Sequence, residues 1–241
     1  MALIRRQHLT ELNKQKRLDW AQKHLEVDWE NVMVTDSHYC VQGRSSGRKR
    51  WENPKKRAIV DVKAHGMQAH VYAGATVHGV TRLQFVTGTT CIKSNTMGAK
   101  GVNNTEYCEA IRNTLVPEGE KMFQGLPFSV YQDGASSHTS AETKLLWASY
   151  KNIQVLQSAP KSPDLNWIEN LWEELDDKLM GKTFKSIRTY KAAITKAWSE
   201  ITKELCQKHV KSMPGRLRKV IEQGGGHIER NIYSKNHFQA I

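Results

Sequence analysis

Three acidic side chains could do chemistry together if the fold brings them to one place. Asp36 closes the short apolar run NVMVTD, residues 31–36, and Asp133 closes a second run, PFSVYQD, residues 127–133. Glu169 lies within SPDLNWIENLW, residues 162–172, which reads as a loop tipping into a helix. Carboxylates gathered in one spot repel, and their pKa values rise unless something positive sits among them. The natural occupant is a hard divalent cation with oxygen ligands, Mg²⁺ above all. In a basic protein such a site points to two-metal phosphoryl transfer, with ions ~3.5–4 Å apart flanking the reacting phosphate. Each acid also has a plainer reading. Asp36 can be a turn residue, and Asn166-x-x-Glu169 has the spacing of a capping box, in which the glutamate only satisfies a backbone N–H.

The elements that must position these acids follow from hydrophobic period and turn residues. Residues 31–36 and 127–133 have the length and β-branching of buried strands. Residues 58–62, 69–77 and 81–87 alternate like strands, and His78-Gly79 suggests a hairpin between the last two. Asn104 or Thr105 can cap a helix that runs through Tyr107, Ile111 and Leu115 and ends at Pro117. Ser140 or Thr139 can cap the next, and Ile153 to Leu156 form a further strand. Asn166 is expected as the N-cap of a helix whose apolar face is Ile168, Leu171, Trp172, Leu175 and Leu179. On that helix Glu173, Glu174, Asp176 and Asp177 read as a solvated face. A long helical region then runs from Ile187 to Leu205, and a basic helix from Met213 to Ile221 ends at Gly224-Gly225-Gly226. At the other end, residues 9–26 read as a surface helix capped by Thr10, with Lys14, Lys16, Arg17 and Lys23 in solvent. The order is strands with a hairpin, then helix, strand, helix, strand, helix: an α/β chain with a mixed sheet covered by helices.

Bulk properties agree with a packed domain that meets a polyanion. The 241 residues are 39% hydrophobic and 25% charged, which argues against a disordered chain. Lys plus Arg is 36 against 24 Asp plus Glu, a net charge of +12, and nucleic acid is the usual partner of such an excess. The basic side chains concentrate in GRSSGRKRWENPKKR, residues 43–57, as Arg44, Arg48, Lys49, Arg50, Lys55, Lys56 and Arg57. Phosphate contact is one reading of that loop, and a solvated loop or import signal is the other. Trp51 within it could stack on a base or anchor the loop. Cys40, Cys91, Cys108 and Cys206 show no C-x-x-C spacing, so they read as reduced thiols rather than a zinc knuckle or a disulfide framework. No apolar run approaches a membrane span, and the first residues are too polar for a signal peptide.

YQDGASSHT followed by SPDLNWIENLW, with an aspartate-ended strand upstream, resembles the catalytic domain of the mariner-type (Tc/mariner) DDE transposases of cut-and-paste DNA elements. The resemblance runs from about residue 9 to residue 226, and HVKSMPGRLRKVIEQGGG resembles that family's C-terminal signature. It implies an RNase H-like fold, a mixed sheet with helices on both faces, over residues 31–226. A linker and helix would occupy 1–30, and a tail without clear pattern 227–241. It further implies that Asp36 bridges two Mg²⁺ ions, with Mn²⁺ able to substitute, and that Asp133 and Glu169 each hold one. The reaction implied is metal-dependent hydrolysis at element ends, then attack of the freed 3′-OH on target DNA, commonly at TA dinucleotides. The implied partners are double-stranded DNA and further copies of the chain, as a homodimer or larger assembly; the implied compartment is the nucleus, with no membrane. His138 matches the family motif after Asp133, as a structural hydrogen-bonding group or a contact to DNA. Asn166 and Asn170 flank Glu169 and are expected to orient it, and Asp164 reads as a helix-entry residue rather than a ligand.

The sequence departs from the family pattern at Ser37, Gly134, Ser136 and Trp167. None of these removes an expected metal ligand, but Trp167 replaces a proline pre-organised for the first helical position. The family's N-terminal helix-turn-helix pair, which reads element ends, has no counterpart in the first 30 residues. Weak, salt-sensitive DNA binding through phosphates is therefore expected. The alternative is a transposase-derived, non-catalytic, basic DNA-binding or assembly protein. A nuclease acting on RNA–DNA hybrids fits SPDLNWIENLW less well.

Overall fold

The computed structural model describes residues 8–42, 67–86 and 103–228. The expected strand at 58–62, the basic segment 43–57 with Trp51, Cys91 and the tail from residue 229 lie outside the described residues. Helix α1, Glu11–Lys23, starts where Thr10 accepts the Asn13 amide at 3.3 Å. Then come β1, Val32–Val41, and β2, Gln68–Thr76, followed by two short strands, β3, Gly79–Val80, and β4, Gln84–Phe85. The helical crossover consists of α2, Asn104–Ala110, a π-turn, Ile111–Leu115, and α3, Val116–Met122. It leads to β5, Phe128–Gln132, then α4, Ser136–Thr139, α5, Ala141–Ser149, and β6, Ile153–Gln157. Helices α6, Ile168–Leu179, α7, Ile187–Ser199, α8, Lys203–Lys211, and α9, Met213–Glu222, complete the order.

The sheet runs β3-β2-β1-β5-β6, with β4 also paired to β2. β1 lies antiparallel to β2 and parallel to β5, and β5 lies parallel to β6. Parallel neighbours need crossovers, which the helices between β1 and β5 and between β5 and β6 supply. Because side chains alternate along a strand, the sheet buries both faces. Val32, Val34, Val71, Ala73 and Tyr131 pack into one core with residues of α6 to α9. Met33, Tyr72, Phe128 and Val130 pack into the other, with Tyr107, Ile111, Leu115 and Trp147. The helices thus flank the mixed sheet on both faces, the RNase H-like arrangement.

Several local expectations are corrected. Asp36 does not end its strand: β1 continues to Val41 because its pairing with β2 runs from Val34↔Ala75 to Val41↔Gln68. Pro117 does not end its helix. The π-turn precedes it, and the Asn113 carbonyl, which a proline cannot satisfy from four residues on, accepts instead from Arg82 Nη2 at 3.2 Å. Gly119 in α3 lies so close to the sheet that a Cβ there would meet Phe128 Cζ at 2.6 Å. The long region from Ile187 breaks after Ser199, since Thr202 turns extended and accepts the Leu205 amide to begin α8.

Candidate active site

The sheet register brings the two aspartates together. Val34 of β1 pairs with Tyr131 of β5, and Asp36 and Asp133 each follow two residues later, so both project from the face that α6 covers. β5 stops at Gln132 while β1 runs on, which leaves the β5 side of Asp36 open. The first turn of α6 delivers Glu169 over the same spot. All three carboxylates line one cleft of about 590 Å³, whose walls include Lys16, Tyr131, Gln157, Lys161 and Asn166.

The local bonding of each acid differs. Asp36 accepts the Ser37 amide at 2.7 Å on Oδ1 and the Asn166 Nδ2 at 3.2 Å on Oδ2. Burial, then the negative charges of Glu169 and Asp133, push its carboxyl well above the usual range, against the pull of the Ser37 amide. Asp133 is half-exposed and faces His138, Nδ1 to Oδ1 2.5 Å, while accepting the Ala135 amide at 3.0 Å. Burial acts to raise its carboxyl too, but the His138 hydrogen bond and charge and the Ala135 amide together outweigh it and lower the pKa. The Asp133 carbonyl is tied to Gln157 Nε2. His138 is itself buried against Tyr107, ring centroids 4.1 Å apart.

Asn166 is not the capping residue expected. Its Oδ1 is buried with no hydrogen-bond partner among the described residues, and its Nδ2 points to Asp36, so the capping box does not form. The Asn166 carbonyl, rather than its side chain, accepts the Glu169 amide at 3.2 Å. The glutamate is therefore presented to the cleft instead of folding back on the helix terminus. Asn170 turns the other way, accepting Arg216 Nη2 at 2.6 Å. Trp167, which stands where the family favours proline, is fully buried as an anchor, stacked parallel to His209 at 6.3 Å.

The loop ahead of α6 is held by arginines. Arg17, expected in solvent, is fully buried. Its guanidinium grips Asp164 through both oxygens at 2.8 and 2.7 Å and also donates to Ser162 Oγ, Lys161 O, Gly225 O and Gly226 O. Arg216 donates to the Asp164 carbonyl at 3.0 Å. Asp164 is thus a structural anchor, as its position at the helix entry implied. Lys161, in the same loop, sits at φ +52°, a left-handed strain that this clamp holds in place. Gly225 has φ +84°, and a Cβ there would lie 1.9 Å from the Lys14 carbonyl, so α1 and the Gly224–Gly226 turn interlock only with glycine.

Among the expected site residues, the structure gathers Asp36, Asp133 and Glu169, with His138 behind Asp133. Arg44, Arg48, Lys49, Arg50, Lys55, Lys56 and Arg57 lie outside the described residues. Lys16, Lys161 and Gln157 were not singled out from sequence. They come from two distant segments, α1 and the stretch 157–161 from the end of β6, with no local motif, and only the folded cleft unites them. Arg17 carried a usable signal, since it shares a face with buried Ala21 four residues on.

The donor set fits a divalent cation. It consists of carboxylate oxygens, it holds Asp36 against charge repulsion, and it leaves the neutral Asn166 Oδ1 without a hydrogen-bond partner among the described residues.

Comparison with known proteins agrees with this geometry. No family model matches the chain. The Tc3 transposase of Caenorhabditis elegans is 27% identical over 221 residues, 90% of this chain and 63% of that protein. The chain thus spans less than two thirds of that relative's length. The Tc1 transposase of the same organism is 25% identical over 236 residues, 92% of this chain and 80% of that protein. Among solved structures, the catalytic domain of Mos1 mariner transposase superposes with a TM-score of 0.70 at 16% identity, over 94% of this chain and all of that one. The Mos1 paired-end complex with the left transposon end gives 0.75 at 16% identity, over 95% of this chain and 68% of that one.

Proposed function

We propose, for a chain whose homologues are Tc/mariner transposases and whose fold is that of the Mos1 catalytic domain, that it cleaves DNA and transfers strands as the catalytic domain of such a transposase. The observation that carries this reading is the convergence of Asp36, Asp133 and Glu169 in one cleft beside Lys16 and Lys161. Two Mg²⁺ ions, with Mn²⁺ as substitute, would be held by these carboxylates and would supply Lewis-acid stabilisation of the charge that builds on the scissile phosphate. Solved Mos1 complexes with Mn and with Mg support a divalent ion of this kind.

The chain's own residues set the geometry. Asp36 lies close enough to feel the charge of both other acids and is fixed by the Ser37 amide and Asn166. Asp133 is oriented by His138 and Gln157, and Glu169 by the start of α6. Lys16 and Lys161 offer cations to the DNA backbone at the cleft wall. In the first step water attacks the phosphorus at an element end and the 3′ oxygen leaves with the bonding pair. In the second, that freed 3′-OH attacks a target phosphorus and displaces the target's own 3′ oxygen. The first step turns a phosphodiester into a 5′-phosphate monoester and a 3′-OH, with one proton of the water passing to the departing 3′ oxygen. The second exchanges one diester for another, and positioning and electrostatic stabilisation of the phosphate carry both. Double-stranded DNA as partner, assembly as a homodimer or larger complex on paired ends, and action in the nucleus belong to the same proposal.

The test is nicking of supercoiled plasmid at low salt with Mg²⁺ or Mn²⁺, with EDTA, and with Glu169→Gln. Cleavage should vanish in EDTA and fall about 100-fold or more in the variant, equivalent to about 2.7 kcal/mol of transition-state stabilisation. Folded chain that binds DNA and never nicks it, even joined to end-binding modules, would sink the enzyme reading and leave the basic DNA-binding one.

A further inference from the structure

We propose that His38, Cys40 and Asp176 form a second metal site, separate from the three carboxylates, that takes a borderline divalent cation such as Zn²⁺ rather than Mg²⁺. The proposal is independent of the transposase reading.

The site follows from how α6 crosses β1. Alternate residues of the strand, Asp36, His38 and Cys40, project from one face. On the helix, Glu169, Trp172 and Asp176 recur at i, i+3 and i+7 and form one stripe. The first pair of the two rows, Asp36 and Glu169, belongs to the carboxylate cleft. The last pair brings Asp176 down on His38 and Cys40. Four strand residues span roughly 13 Å and seven helical residues roughly 10 Å, so the rows stay in step and the two sites stand apart.

The expectation that Asp176 belongs to a solvated face is corrected here, since its side chain is only 14% exposed and its Oδ1 lies 3.0 Å from His38 Nε2. One ligand atom from each of His38, Cys40 and Asp176 lies within 4.8 Å of the other two. In a tetrahedral site with metal–ligand distances of about 2.0–2.3 Å, ligand atoms stand about 3.3–3.6 Å apart, so closure needs a shift of about an ångström. The imidazole is already held in plane, stacked on Trp172 at 5.2 Å and 8°. Cys40 is a free, fully buried thiol.

A buried ion pair over a core thiol would explain His38 and Asp176 alone. The mixed nitrogen, sulfur and oxygen set is what selects a borderline cation over a hard one. On binding, the Cys40 thiol releases its proton to solvent, and thiolate plus carboxylate balance the 2+ charge. The partial exposure of His38 and Asp176, 16% and 14%, leaves an entry path and a fourth position for water. A cation there would tie β1 to the C-terminal half of α6, about two turns from the end that carries Glu169.

The experiment is titration of the reduced, metal-stripped full chain with Co²⁺, following the thiolate-to-cobalt charge-transfer absorption. One equivalent should saturate the band. Zn²⁺ should displace it and Mg²⁺ should not. Glu169→Gln should keep it, Cys40→Ala should abolish it, and Asp176→Asn should weaken Co²⁺ binding at least ~10-fold, since it removes a direct ligand. Absence of the band in folded protein overturns the proposal, as does a band that survives Cys40→Ala and so reports another cysteine. Should Cys40→Ala fail to fold, Asp176→Asn decides, and undiminished affinity in that variant refutes the site.

Discussion

Asp36 and Asp133 share a cleft but respond to pH with opposite signs. Burial and the neighbouring carboxylates raise the Asp36 pKa, so the folded chain holds that proton more tightly than the unfolded chain does. Its contribution to stability is complete below the unfolded value of about 3.9 and is lost as pH rises through the folded value. At neutral pH the metal-free protein is therefore less stable than it would be with a neutral side chain at this position. Asp36→Asn should raise the thermal midpoint in EDTA at pH 7, with the gain shrinking toward pH ~4 as the parent carboxyl protonates. The parent should gain from Mg²⁺ and the variant should not. A variant no more stable than its parent in EDTA would mean the carboxylates are not crowded. Asp133 has a lowered pKa, owing to His138 and the Ala135 amide outweighing burial. Its contribution is present above the unfolded value and lost as pH falls through the folded one. Asp133→Asn should accordingly lower the midpoint at pH 7, and thermal scans of the two variants side by side read the difference in sign.

The entry to α6 is where sequence and fold diverged most, because its contacts are long-range. The apolar stripe from Ile168 to Leu179 was legible as a 3.6-residue period, and the strands ahead of Asp36 and Asp133 as short β-branched runs. The parallel register that aligns those acids was not legible, since pairing between strands leaves no mark in either strand alone. The spacing of Asn166 and Glu169 suggested a capping box for the same reason: nothing local reveals that Asn166 turns to Asp36 on another element. Arg17 likewise looked like one of several helix lysines and arginines, yet it binds the loop before α6 to the Gly224–Gly226 turn. Removing its charge strips Asp164, 16% exposed, of its bidentate ion-pair partner and leaves it the Ile228 amide at 3.0 Å and His227 at 4.0 Å. Arg17→Ala should cost about 3–5 kcal/mol in urea unfolding, whereas an exposed ion pair would cost under about 1. The double variant with Asp164→Asn should recover part of the loss, and additive losses would show that the clamp is not coupled. Trp167→Ala, which empties a fully buried indole site, should cost about 3–5 kcal/mol by the same measurement. Trp167 thus replaces the rigidity of a proline by packing.

At the scale of the whole molecule the net charge of +12 suits the proposed DNA partner. Lys16 and Lys161 line the cleft with the carboxylates, and the basic segment 44–57 adds seven more cations in sequence. Binding that rests on such contacts is driven by counterion release, so it should be steep in salt and nearly blind to sequence. If six phosphates are neutralised, log K against log salt should fall with a slope of roughly −5, and affinity should drop about 10³-fold between 50 and 200 mM. Fluorescence anisotropy on duplexes of unrelated sequence measures both quantities. Replacing Arg48, Lys49 and Arg50 by glutamine should make the slope shallower by up to about 3 and weaken all duplexes alike. Glu169→Gln should leave the slope unchanged or slightly raise affinity, since it removes a negative charge from the cleft. A slope unaltered by the glutamine replacements would place the DNA path on other cations, with Lys16 and Lys161 the next to change. A strong preference for one duplex would instead require a base-reading contact, because phosphates alone position the protein without distinguishing sequence.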